Sequence, residues 1–186
     1  MRKKKWFLVI LILLSKYSLA HGFGTNGLLH PLTGADHILA MVAVGAWSAQ
    51  MGGKAIYLVP CSFLAMMFLG GITGIEMIAI GKIDWMIALS VILLGLAIYL
   101  NKKISLLIAS LAVGTFGFCH GYAHGTEIPH AFNAGEYITG FTITTFGLHV
   151  IGAVGTLLLL EEKSGPGNLR LLGAVTAFVG ACLLVR

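Results

Sequence analysis

Charged side chains are scarce in this sequence. Only 10% of its 186 residues are Asp, Glu, Lys or Arg, against 58% apolar, where a soluble domain carries about 25% charged residues. That shortfall excludes a disordered chain and an ordinary cytosolic enzyme. With a mean hydropathy of +0.93 it marks an integral membrane protein. Cysteine is scarce too. Cys61, Cys119 and Cys182 are odd in number, far apart and set in apolar runs, which argues against a disulfide framework or a C-x-x-C zinc or redox motif. The sequence also lacks a G-x-x-x-x-G-K-[ST] run, so it carries no P-loop of its own. The formal net charge of +5 has a local origin. Five of the twelve basic residues, Arg2, Lys3, Lys4, Lys5 and Lys16, fall within the first twenty, and the seven basic and seven acidic residues beyond them cancel. A nucleic-acid partner has no support.

What is present begins with the three parts of a secretory signal. Arg2 to Lys5 are the positive region, Trp6 to Leu14 a nine-residue apolar stretch, and Ser18-Leu19-Ala20 the small residues before a cut. Cleavage is expected after Ala20, dividing the chain into a signal peptide (1–20) and a transmembrane domain (21–186). The alternative is an uncleaved first helix, and either version puts His21 on the outer side.

The remainder divides into six apolar stretches, about 35–52, 55–75, 84–100, 104–122, 135–160 and 169–185, each near the ~20 residues a spanning helix needs. The expected fold is an all-α membrane protein, a single bundle of six transmembrane helices in the lipid bilayer with no soluble domain. With the mature N-terminus outside, the inner connections carry Lys54, Lys102, Lys103, Lys163 and Arg170, and the outer side only Lys82 and Arg186. That bias agrees with the positive-inside rule. Gly70-x-x-x-Gly74 and Gly117-x-x-x-Gly121-x-x-x-Gly125 place small residues on one helix face and favour close helix approach. Pro60 is expected to kink the second span.

Seven histidines and seven acids in so apolar a chain point to a site, because ionisable groups at membrane depth are costly and mark pathways. They cluster at two places expected to share the outer face. In the first, His30, Asp36 and His37 precede or open the first span, with His21 upstream. Thr33-x-x-Asp36 reads as a capping box, yet two imidazoles have no part in starting a helix, and together with the carboxylate they form a partial shell for a divalent transition metal. In the second, His120 and His124 stand four apart on one helix face, and Glu127 joins that face if the helix survives Gly125. Thr142, Thr145 and His149 form a polar stripe on the fifth span. Two readings of His149 stand side by side: a hydrogen-bonded tie between helices, or a ligand deeper along a path. Met41, Met66 and Met67 read as packing.

A signal peptide, a mature start at His21-Gly22-Phe23, an H-x5-D-H motif and an F-x-H-G-x-A-H-G-x-E run together resemble the HupE/UreJ family, small bacterial membrane proteins associated with nickel and sometimes cobalt supply to hydrogenase and urease. The resemblance covers essentially the whole mature chain. It implies a nickel or cobalt permease of the bacterial inner membrane, with no permanent cofactor, Ni2+ or Co2+ as the transported ion, and maturation proteins of nickel enzymes as partners. Carried over, it points to His30, Asp36, His37, His120, His124 and Glu127 as metal ligands; His21 and His149 are further candidates from the reading of the residues themselves. Cys119 departs from the family pattern, in which an aromatic directly precedes the first histidine; here Phe118 lies one place earlier, and nickel and cobalt both stay open. Two competing readings are an intramembrane zinc-dependent hydrolase and an accessory protein that binds metal without moving it.

Overall fold

The computed structural model describes residues 27–76, 81, 83–128 and 133–185; the expected signal peptide and His21 lie outside them. Among the described residues a 3-10 turn, His30–Leu32, leads into six α-helices: α1 Ala35–Met51, α2 Ala55–Ile75, α3 Ile83–Tyr99, α4 Leu106–Thr126, α5 Ala134–Glu161 and α6 Gly165–Leu184. Among the described residues there is no strand. Four helices, α2, α4, α5 and α6, are long and apolar enough to cross a membrane by length and composition, and α3 is a shorter apolar helix.

Local chemistry sets the helix ends. Gly52 and Gly53, with φ of 75° and 56°, take the left-handed backbone that turns α1 into α2. Ser105 accepts the Ile108 N–H at 3.3 Å to cap α4, and Asn133 accepts the Gly135 N–H at 2.9 Å to cap α5. Most boundaries fall within about two residues of the sequence expectation, and two differ by more. The helix expected to stop at 122 runs on to Thr126, because Gly121 and Gly125 are packed against the α2 backbone rather than freed to turn. The last helix begins at Gly165 rather than 169, since Pro166 sits in its first turn, where the missing N–H is no loss. Pro60 lies inside α2, which continues through it to Ile75.

The helices associate chiefly as pairs: α2 along α4, α3 along α6, and α1 along α5. Helix α1 is central and also touches α2, α3 and α6, which is why it can carry His37, Ser48 and Gln50 without presenting them to lipid. Its far end is tied down by Trp47, whose indole donates to the Lys102 carbonyl at 2.8 Å, and by Gln50, which donates to the Ile98 carbonyl at 3.3 Å. Large apolar side chains such as Leu107, Leu111, Ile143, Phe146, Ile151 and Phe178 project outward, the distribution that hydrocarbon solvent calls for.

Glycine sets the spacing of the pairs. On α4, Gly117, Gly121 and Gly125 face the carbonyls of Phe63, Met67 and Gly71 so closely that no side chain fits between, and on α2 Gly70 and Gly74 meet the Phe118 and Tyr122 carbonyls in the same way. Gly45 of α1 and Gly152 of α5 repeat the arrangement against the His149 and Val42 carbonyls. Gly121→Leu should therefore destabilise the protein by about 1–3 kcal/mol, seen as a lower midpoint in thermal unfolding of the detergent-solubilised chain. Gly155→Ala, at a position open to space, should leave the midpoint unchanged. Equal midpoints for all three proteins would refute the close-approach account.

Candidate metal centre at the helix mouth

The 3-10 turn, the start of α1, the end of α4 and the start of α5 meet at one end of the bundle, and the histidines meet there with them. Pro31, buried in the turn, and a 2.7 Å bond from the Thr33 hydroxyl to the His30 carbonyl hold the turn that carries His30. The segment before it docks on α5, where Thr144 donates to the Leu28 carbonyl at 2.7 Å. Thr33 is thus occupied with His30. The capping box expected from Thr33 and Asp36 does not form, and Gly34 is the N-cap of α1.

His30 Nε2 lies 2.9 Å from Glu127 Oε2, and the same oxygen is 3.8 Å from His124 Nδ1. The ligand atoms of His30, His124 and Glu127 all fall within 4.8 Å of one another, close enough to hold one metal ion. Glu127 reaches this position as the C-cap residue of α4, just past the helical face on which it was expected. Its carboxylate is exposed, whereas His124 is buried against Phe141, with ring centroids 4.1 Å apart.

A chain of rings continues inward. His124 meets His30 at 4.6 Å and His37 at 4.1 Å, and His37 meets His120 at 5.0 Å. His120 and His124, expected to pair directly, are bridged by the His37 ring, and His120 is outside the tight group of three. Phe63 then touches both His120, at 5.7 Å, and His149, at 5.1 Å. His149 is therefore not at the mouth but one aromatic ring beyond it.

In the neutral form, hydrogen bonding sets which nitrogen is left free on three of the imidazoles. Asp36 Oδ1 accepts from His37 Nδ1 at 2.8 Å and from the His37 backbone N–H at 2.9 Å. A carboxylate only accepts, so Nδ1 carries the proton and Nε2 is a bare lone pair. The Ser90 hydroxyl lies 2.7 Å from the Ile87 carbonyl and 3.0 Å from His120 Nε2; with its hydrogen donated to that carbonyl, its oxygen accepts from Nε2–H, which leaves His120 Nδ1 bare. His149 Nδ1–H donates to the Met41 carbonyl at 2.7 Å. The remaining nitrogens, His37 Nε2, His120 Nδ1 and His149 Nε2, are buried with no hydrogen-bond partner, as are both nitrogens of His124. An imidazole whose N–H is spent on a carboxylate or carbonyl while its other nitrogen stands free has the arrangement of a metal ligand held by its outer partner.

Ser90, Phe63 and Tyr137 were not among the sequence candidates. Ser90 carried a faint signal as the one serine in an otherwise apolar stretch of α3. Phe63 and Tyr137, whose ring lies 5.5 Å from His30, look in sequence like any membrane aromatic.

Fold and site together define a helical membrane protein with a histidine- and carboxylate-lined mouth suited to a divalent transition metal. The chain belongs to the HupE/UreJ family: the family model described as HupE / UreJ protein matches residues 9–183. A curated relative, Protein HupE of Rhizobium leguminosarum bv. viciae, is 45% identical over 166 residues, which cover 89% of this chain and 86% of the relative. No solved structure matches.

Asp36→Asn tests the orienting bond. An amide can present its NH2 rather than its oxygen to His37 Nδ1, so the ring loses its fixed tautomer. Cobalt affinity of the purified chain, by titration calorimetry, should fall about 10- to 100-fold with little change in unfolding midpoint. Unchanged affinity would remove Asp36 from the site.

Proposed function

We propose that this protein is a six-span permease of the bacterial inner membrane that takes up divalent transition-metal ions, nickel or cobalt, for the maturation of metalloenzymes such as hydrogenase or urease. The observation that carries the reading is the convergence of His30, His37, His124 and Glu127 from three elements of the fold at one mouth, with bare imidazole nitrogens leading inward from it. Imidazole and carboxylate donors favour nickel, cobalt or zinc over magnesium and calcium, which prefer all-oxygen shells. In this reading α1 and α3 cross the membrane along with the four longer helices.

The mouth faces outward. Lys54, Lys102, Lys103, Lys163 and Arg170 all stand in or near connections at the opposite end of the bundle, which the positive-inside rule assigns to the cytoplasm. An ion meets Glu127 and His30 first, exchanging their mutual hydrogen bond for coordination, and is taken on by His124 and His37. A divalent cation entering a negative interior gains about 4.6 kcal/mol per 100 mV, from two charges at ~2.3 each, so the potential alone can drive entry.

Proteoliposomes holding the purified chain should accumulate nickel or cobalt, with excess magnesium competing poorly. His37→Ala or His124→Ala should abolish uptake while the protein still inserts, and the double replacement should be no worse than either single one, because residues acting as a unit are non-additive. Normal flux in His124→Ala would exclude it from the path. Metal binding without flux would make the protein an accessory binder, and strong magnesium competition would make it a hard-cation carrier.

Topology is tested separately. Reporter fusions at Lys102 and Gly165 should report the cytoplasm, and an outside report at either would invert the orientation.

A further inference from the structure

We propose that His149 is an inner ion-binding station, separated from the mouth by Phe63 and taking the same class of ion, a divalent transition metal that prefers imidazole nitrogen. The proposal rests on the uptake reading for its role, but its geometry stands apart from the mouth.

His149 is 2% exposed and Phe63 is fully buried, so neither belongs to the surface. The imidazole is held through Met41. Its Nδ1–H donates to the Met41 carbonyl at 2.7 Å. Met41 is itself clasped to α5 one turn earlier, its sulfur accepting from the Thr145 hydroxyl at 3.3 Å. The reach across is short because Gly45 and Gly152 let the α1 and α5 backbones meet at this level.

All of that bonding is spent on one nitrogen. Nε2 is left as a buried acceptor with no partner. A histidine serving only to tie two helices would have no reason to carry a second, unsatisfied nitrogen into the interior, where an orphan polar atom is costly. The carbonyl-held imidazole with its other nitrogen free repeats what Asp36 does for His37 and Ser90 for His120.

Phe63 divides the path. Its ring meets His149 at 88°, edge to face, and His120 at a tilt of 49°, so the last imidazole on the mouth side and the inner one touch the same side chain. An ion moves from His120 Nδ1 to His149 Nε2 when the Phe63 ring turns aside. No proton need be transferred, because both acceptor nitrogens already carry bare lone pairs.

Two measurements on the full-length chain in detergent or proteoliposomes test this. Cobalt titration, followed by equilibrium dialysis and the visible spectrum of the bound ion, should give two ions per wild-type chain. His149→Gln keeps an N–H for the Met41 carbonyl but loses the imidazole lone pair. It should bind one cobalt and carry nickel at least tenfold more slowly. Glu127→Ala should also lose one ion while keeping the other, which makes the count independent of whether the His149 variant folds. A single ion on the wild type, or two on His149→Gln, overturns the inner station. Two ions with no wild-type flux would sink the uptake reading and leave the station standing; one ion with normal flux would do the reverse.

Discussion

Helices in hydrocarbon gain nothing by hiding leucine from leucine, so their association depends on how closely the backbones can approach and on what polar groups can reach across. In this protein that approach is made by glycine, and the rest of the structure follows from it. Gly117, Gly121 and Gly125 lay α4 on the α2 carbonyls, which holds the helix together to Thr126 and carries Glu127 to the mouth. Gly45 and Gly152 do the same for α1 and α5, bringing an α1 carbonyl within reach of an α5 imidazole. Bulk at any of these positions would separate helices and break hydrogen bonds that lie several residues away.

Within that frame the histidines are polar groups that have been half satisfied. Each of His37, His120 and His149 spends one nitrogen on a carboxylate, a hydroxyl or a carbonyl. Asp36 is the neighbour of His37 on α1, but Ser90 reaches His120 from α3 and Met41 reaches His149 from α1, so α1, α3, α4 and α5 must be in place before the latter two tautomers are set. The cost of leaving the second nitrogen unpaired in a buried place is what a ligand's arrival would relieve. In the proposed reading such a site is pre-organised for a metal without an acidic cage: Asp36 orients His37, and Glu127, the carboxylate within reach of His30 and His124, stays at the exposed edge.

The two ends of the bundle differ in the same sense. Lys54, Lys102, Lys103, Lys163 and Arg170 gather at one end, beside Glu161 and Glu162, while His30, His37, His124, Asp36 and Glu127 gather at the other. Helix α1 connects them, running from Asp36 and His37 to Ser48 and Gln50 through the middle of the bundle. Its central position explains how the least lipid-like of the helices is tolerated: its polar side chains are turned to α2, α3, α5 and α6 rather than to hydrocarbon.

Much of this was legible in the sequence. The shortage of charge, the lengths of the apolar runs and the glycine spacings depend only on local composition and helical period, and they marked the helices to within a few residues. The pairing of residues 30–37 with 120–127 followed from the alternation of spans alone. What the sequence could not specify was contact. It misjudged Thr33, whose hydroxyl turned back to His30 instead of capping α1, because cap choice is settled by a competing bond one turn away. It paired His120 with His124 by spacing, whereas the tertiary structure inserts His37 between them and hands His120 to Ser90. It also had no means of seeing Phe63 between His120 and His149, since an aromatic in a membrane helix carries no mark of which imidazoles it will touch. Composition and period determine what must be buried and where helices begin. Only helix packing decides which lone pair is left bare, because that depends on hydrogen bonds between residues as far apart as Met41 and His149.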